Sequence, residues 1–130
     1  MRDAETAMCA YVQLACLSHE KRQAPVRDRF LVLAGAAACE AGWLDVAAEC
    51  HRLVTGFAPQ HQLAGFASFP EAMKSASFRT LLQSVTKHCP FERAEHLLQQ
   101  LGRTPEGDQP DVPRGQWATA LLSTLASGAA

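Results

Sequence analysis

The stretch from Asp28 to His61, DRFLVLAGAAACEAGWLDVAAECHRLVTGFAPQH, constrains this chain more than any other. Its first half is small or apolar on nearly every face. Leu31, Leu33, Ala34, Gly35, Ala37, Ala38 and Ala41 would cover most of the circumference of a helix, whereas a helix packed on one side only needs a single stripe. Water is therefore expected to be excluded from more than one side, and the segment reads as a central helix over about Arg29 to Ala41 with Asp28 as its N-cap. Gly42 supplies the left-handed residue that ends it, and Trp43-Leu44-Asp45 opens a second helix to about Thr55, stopped by Gly56 and Pro59. In that second helix Leu44, Ala47, Ala48, His51 and Val54 or Thr55 recur at three- and four-residue steps, with Asp45, Glu49 and Arg52 between them. One face is expected to pack and the other to stay wet.

A helix that is apolar all round needs cover on both sides, and the rest of the chain holds it. Asp3 to about Glu20 reads as a helix with Ala7, Met8, Tyr11, Val12, Leu14, Ala15 and Ser18 in one stripe, ended by a loop at Ala24-Pro25. Past Pro59, a turn over Gln60 to Ala67 brings Phe66 and Phe69 inward, and Ser68 to Glu71 has capping-box spacing for a short helix to about Ala76. Phe78, Leu81, Leu82 and Val85 then step along one face as far as His88. From Pro90, Phe91, Ala94, Leu97, Leu98 and Leu101 repeat the pattern up to Gly102, giving a second hairpin. Alanine and leucine stand where a β protein would carry valine, isoleucine and threonine runs. The expected organisation is a helical domain over residues 1–102, a Pro/Gly-rich linker at 103–115 and a short C-terminal helix with a tail at 116–130.

The Asp28 to His61 pattern resembles one degenerate tetratricopeptide repeat. Ala34-Gly35 stands where that family has its Leu-Gly pair, Gly42 at the inter-helix turn, Ala47 at the small position of the second helix and Pro59 at its end. The family's bulky positions hold Leu31, Ala38 and His51, and a later alanine position holds Val54. The resemblance covers about a quarter of the chain, with no repeat in register downstream. It implies an all-α fold, a compact bundle of five or six helices in stacked antiparallel hairpins, and by analogy a binding module. On that analogy the concave side of the first repeat helix presents Arg29, Val32, Ala36, Cys39 and Glu40 to a partner. The layout is also similar to that of small all-helical bacterial proteins, a likeness that implies no activity.

Charge and targeting signals narrow the function further. The formal net charge is -1, with acids interrupting the one basic cluster around Lys21, Arg22, Arg27 and Arg29, so no nucleic-acid partner is expected. Acids sit in the first five residues where a signal peptide would be basic, and no run of about 18 apolar residues exists, so neither export nor a membrane span is expected. Five cysteines without paired spacing read as reduced thiols, and the cytoplasm is the expected compartment.

The sharpest chemical candidate is His88-Cys89-Pro90, a thiol at a helix N-terminus beside an imidazole, which would suit a redox or sensor protein. It lacks the distant base and orienting group of a catalytic thiol, and an N-cap role for Cys89 explains it as well. Cys39, Cys50, His51 and His61 lack metal-ligand spacing, no glycine loop has the strand-turn-helix setting of a phosphate cradle, and Glu92 with Glu95 faces solvent. No catalytic residue, metal or cofactor is expected. The sequence reads as a non-enzymatic protein-interaction or adaptor domain whose partner is another protein or peptide, with a thiol sensor using Cys89 as the alternative. Trp117 and Leu121 add a second candidate surface. Their helix, with Leu122 and Leu125, either docks on its own domain or occupies a groove on a partner or a second copy, which would make a homodimer.

Overall fold

Asp3 caps the first helix. Its carboxylate accepts from the Thr6 N–H at 2.7 Å, and α1 (Ala4–Glu20) runs on from there. The structure is a computed structural model describing residues 3–108 and 111–128. Met1 and Arg2 of the signal-peptide reading, Gln109 and Pro110 of the linker and Ala129 and Ala130 of the tail lie outside the described residues. Among those described, the chain is all-α, with seven helices where five or six were expected and no strand.

α1 ends in a Schellman turn. Arg22 takes the left-handed position at φ 59, its N–H donating to the His19 carbonyl and that of Gln23 to Ser18. α2 (Ala24–Ala41) follows at once and so begins at Ala24 rather than Arg29. Pro25, read from sequence as part of a loop, lies in the first turn, where its missing N–H has no helical partner to lose. Asp28 is consequently inside the helix and not at its cap. Its carboxylate accepts from the buried Arg27 at 3.0 Å, while the Arg27 guanidinium also lies 3.6 Å from the centre of the Phe57 ring and 3.3 Å from His19 Nδ1. One buried cation thereby ties α1 and α2 to the end of the next helix.

Every residue from Phe30 to Ala38 is buried, as the all-round apolar pattern requires. α1 lies along one side of α2, and Gly42 at φ 86 turns the chain so that α3 (Leu44–Phe57) lies along another. The Gly42 N–H donates to Cys39 and that of Trp43 to Ala38, closing a second Schellman turn. α3 passes through Gly56, which does not stop it, and ends at Phe57. Its buried face is Val46, Ala47, Cys50, Leu53 and Val54, rotated from the stripe that the sequence suggests, with Ala48 exposed and Leu44 left 56% exposed. The reason is that α3 has neighbours on two sides, α2 and the C-terminal helix, so its apolar sector follows the valley between them.

A 3₁₀ turn at Gln62–Gly65 leads to α4 (Phe69–Met73), whose N-cap Ser68 Oγ accepts from the Glu71 N–H. His51 of α3 fixes this connection, since its Nε2 lies 3.0 and 2.9 Å from the Leu63 and Phe66 carbonyls, two acceptors that make that nitrogen the donor. α4 carries the Phe69 ring onto Gly35 of α2, so closely that a Cβ on Gly35 would collide with it. Ser75 caps the next helix directly, which is why α4 stops at Met73 and α5 (Ala76–His88) already includes Ala76. α6 (Phe91–Gln100) follows Pro90, and α7 (Arg114–Gly128) closes the chain.

α7 packs on α1 and α3, with Trp117, Ala118, Leu122 and Leu125 buried in the same core as the rest. Residues 104–107 and Gly115 are strapped down. The buried Gln13 amide donates to the Thr104 and Pro105 carbonyls at 2.8 and 3.2 Å, Trp117 packs on Gly107, and Trp43 packs on Gly115. The Trp43 indole N–H in turn donates to Glu5 at 2.6 Å, so the ends of α1, α2 and α7 meet at one ring.

Candidate functional site

α5 and α6 are consecutive and both amphipathic, yet they splay. α5 lies on α2 and α4, whereas α6 lies on α1. The divergence is set at the joint. Cys89 (φ -147, ψ 77) leaves the helical region and Pro90 (φ -65, ψ 166) is extended, so α6 starts in a new direction, and the Tyr11 hydroxyl of α1 pins the joint by donating to the Cys89 carbonyl at 2.9 Å. Phe91, Ala94 and Leu98 are then buried, and the space left between α6 and the end of α5 is an open groove of about 440 Å³.

Its floor is apolar: Leu14 and Leu17 of α1, Val26, Phe30 and Leu33 of α2, Val85 of α5, and Leu97 with Leu101 from α6 and its end. Leu101 remains 51% exposed, one of two large apolar side chains left so open among the described residues. The rim carries Lys21, Arg29, His88 and Arg93, together with Gln23 and Gln100, and no carboxylate lines the groove. None of Lys21, Arg29 and Arg93 forms an ion pair among the described residues. Arg27, Arg52 and Lys74, by contrast, are each held by a neighbouring acid.

The residues singled out from sequence are dispersed. Arg29 is exposed on the groove rim, but Val32 and Ala36, further along the same face of α2, are buried where α5 crosses it. Val32 faces a crease shared with Leu81, Val85 and His88, and Ala36 with Glu40 faces another shared with Leu82 and Thr86. Cys39 is half-buried and Glu40 exposed at the far end of the helix. α5 takes this face because its own stripe needs cover, and the small side chains of α2 let it approach. Trp117 is 6% exposed inside the core, and Leu121 is half-buried with its carbonyl 3.6 Å from the Cys16 thiol. The structure thus brings Arg29 together with His88 and Cys89, which were considered separately, and separates Arg29 from Glu40.

Cys89 is buried beside the groove, and burial raises its thiol above the usual range, with Arg93 only partly opposing. His88 directs Nδ1 to the Ser84 carbonyl at 3.0 Å and lies on the rim. The other thiols are also raised by burial, Cys9 to about 12 and Cys16 and Cys39 to about 11, and Cys50 upward as well. His51 and His61, considered as metal ligands, serve the backbone: His61 Nδ1 accepts from the Leu63 N–H at 3.1 Å. Among the described residues no group of three His, Cys, Asp or Glu side chains is placed to hold a metal ion, and no helix is long and apolar enough to cross a membrane.

Sequence reasoning missed the groove because each of its walls reads as ordinary packing stripe. The signal that could have found it is the Cys89-Pro90 step, because the residue before a proline is kept out of the helical region and α6 need not continue the line of α5. Comparison with protein-family models, with curated proteins and with solved structures found no match.

Proposed function

We propose that the chain is a non-enzymatic protein-interaction or adaptor domain of the cytoplasm, built round a tetratricopeptide-like α2–α3 hairpin, and that the groove between α6 and the α1–α2 pair is its recognition surface. The observation that carries this reading is the uncovered apolar floor. A domain that fully buries Leu31, Ala34 and Ala38 leaves Leu101 half in water beside Leu97 and Leu17, at a site rimmed by polar side chains. Cys89 supports binding over thiol chemistry, because a nucleophilic or redox-sensing thiol needs a lowered pKa and access, whereas this one is buried and raised.

The test is affinity capture from native extract with three full-length baits: the natural chain, Leu101→Asp in the groove, and Leu44→Asp, the other strongly exposed leucine, on α3. A partner lost with Leu101→Asp and kept with Leu44→Asp is the expected result. A partner kept by both variants, or lost equally with both, removes the groove as the recognition surface.

A further inference from the structure

We infer that the groove receives an acidic amphipathic helix from another protein, its apolar stripe on the leucine floor and its carboxylates on Arg29, Arg93 and Lys21. This rests on the reading of the groove as the recognition surface and specifies the partner's chemistry.

Charge complementarity carries the inference. In a chain of net charge -1, the groove gathers three cations from the end of α1, from α2 and from α6 without a lining carboxylate. Glu20 and Glu92, next to Lys21 and Arg93 in sequence, do not line it, and Asp28, next to Arg29, is held by Arg27. A cationic rim with no internal partner repels a basic segment and attracts an acidic one. The secondary structure of the occupant follows from backbone hydrogen bonding. The described residues form no strand and hence no free sheet edge, and an apolar floor offers an extended peptide nothing for its N–H and C=O groups. A helix satisfies its own and presents one stripe to a helical groove. The groove is open to solvent, so an alkyl anion lying in it would keep one side wet, while a helix has a polar side to leave there.

The experiment measures binding of three labelled synthetic helices, each of about four turns, to the full chain by fluorescence anisotropy. All carry leucine at i, i+3, i+4 and i+7; the flanking positions are glutamate, glutamine or lysine. Expected is tighter binding of the glutamate peptide than of the lysine peptide by about tenfold or more at low salt, with the gap closing at high salt. The Arg29→Glu, Arg93→Glu variant, with circular dichroism and thermal unfolding unchanged, should reverse that order. Because both side chains are exposed, folding should tolerate the exchange.

Equal binding of glutamate and glutamine peptides, both abolished by Leu101→Asp, would overturn the acidic partner and leave the groove reading standing. So would failure of all three peptides while Leu101→Asp still abolished capture of a native partner. Binding of decanoate but of no peptide would overturn the helical occupant. Peptide binding that Leu101→Asp does not weaken would overturn both the inference and the groove.

Discussion

The α1–α2–α3 block and the α5–α6 flank are built from helices of opposite texture. In the block, alanine and glycine let backbones approach until α2 is buried from Phe30 to Ala38, and the one large ring at its crossing with α4, Phe69, fits because residue 35 has no side chain. In the flank, larger leucine and phenylalanine side chains stand in narrow stripes on polar helices. Each of α5 and α6 finds cover on a different helix of the block, and the gap between them stays open. Small residues close a structure up, whereas narrow stripes that part company leave a groove. Stability should therefore concentrate in the block and binding in the flank.

The largest expected contrast comes from truncating one apolar side chain on each side. Leu31 of α2 is fully buried, so Leu31→Ala should cost about 2–5 kcal/mol. Leu101→Ala, at a half-exposed position, should stay within about 0.5 kcal/mol. Urea unfolding of both variants with unchanged m-values checks this. Equal losses would mean that the groove floor is part of the stabilising core and the division is false.

A smaller loss tests how firmly the segment ahead of α7 belongs to the block. Gln13 is 4% exposed and satisfies two loop carbonyls, so Gln13→Leu leaves both unpaired in a buried setting, at about 1–3 kcal/mol. Trp117, which packs under that loop, should then report it by a red-shifted emission in a Trp43→Phe background. An unmoved spectrum would show that Gln13 does not hold the strap.

Different groups should set the two ends of the pH scale. Burial lowers the His61 pKa, Asp28 partly opposing, and His61 lines the crease between α2 and α5. As pH falls, the unfolded chain takes up this proton first, so the stability contributed is whole above the unfolded value of about 6.5 and is lost as pH drops below it. The thiols are shifted the other way. Cys9, at about 12, and Cys16 and Cys39, at about 11, hold their protons longer when folded, so their contribution is whole below the ordinary thiol value of 9.0 and is lost as pH rises from there through those values. Melting temperature against pH should show a plateau between the two limbs, with His61→Gln flattening the acid limb alone. A change in the alkaline limb from that substitution would contradict the separation.

Much of the block was legible in the sequence because its signals are local. Ser68 and Gly42 are caps whose side chain or missing side chain dictates the backbone, and the apolar circumference of Leu31 to Ala38 could only mean burial on several sides. What escaped depended on neighbours. Pro25 reads as a breaker and Gly56 as a stop, but a first turn and a last turn accept them. The α3 face is set by a valley between two helices, which its own periodicity cannot report, and Arg29, His88 and Arg93 share a rim only because three helices meet there. Trp117 reads first as an anchor on its own domain and next as one for a partner, and the contact of its ring with Gly107 shows what it covers.

The smallest effect compares the two ends of α2, one beside the groove and one inside the block. Both ends are entered or left through the same Schellman geometry, with Arg22 at φ 59 on the groove side and Gly42 at φ 86 on the other. A residue with a Cβ in that conformation is strained by about 1–2 kcal/mol, while a glycine frees the unfolded chain at a cost of about 0.4–1 kcal/mol. The two contributions oppose each other, so Arg22→Gly should stabilise by roughly 0.5 kcal/mol and Gly42→Ala, with no atom near its Cβ, should destabilise by about as much. Thermal unfolding of the pair gives opposite signs if both turns are local matters of backbone strain. If Arg22→Gly instead destabilises, the arginine side chain contributes at the groove end something that its backbone does not reveal, and the groove end of α2 would have to be counted with the block.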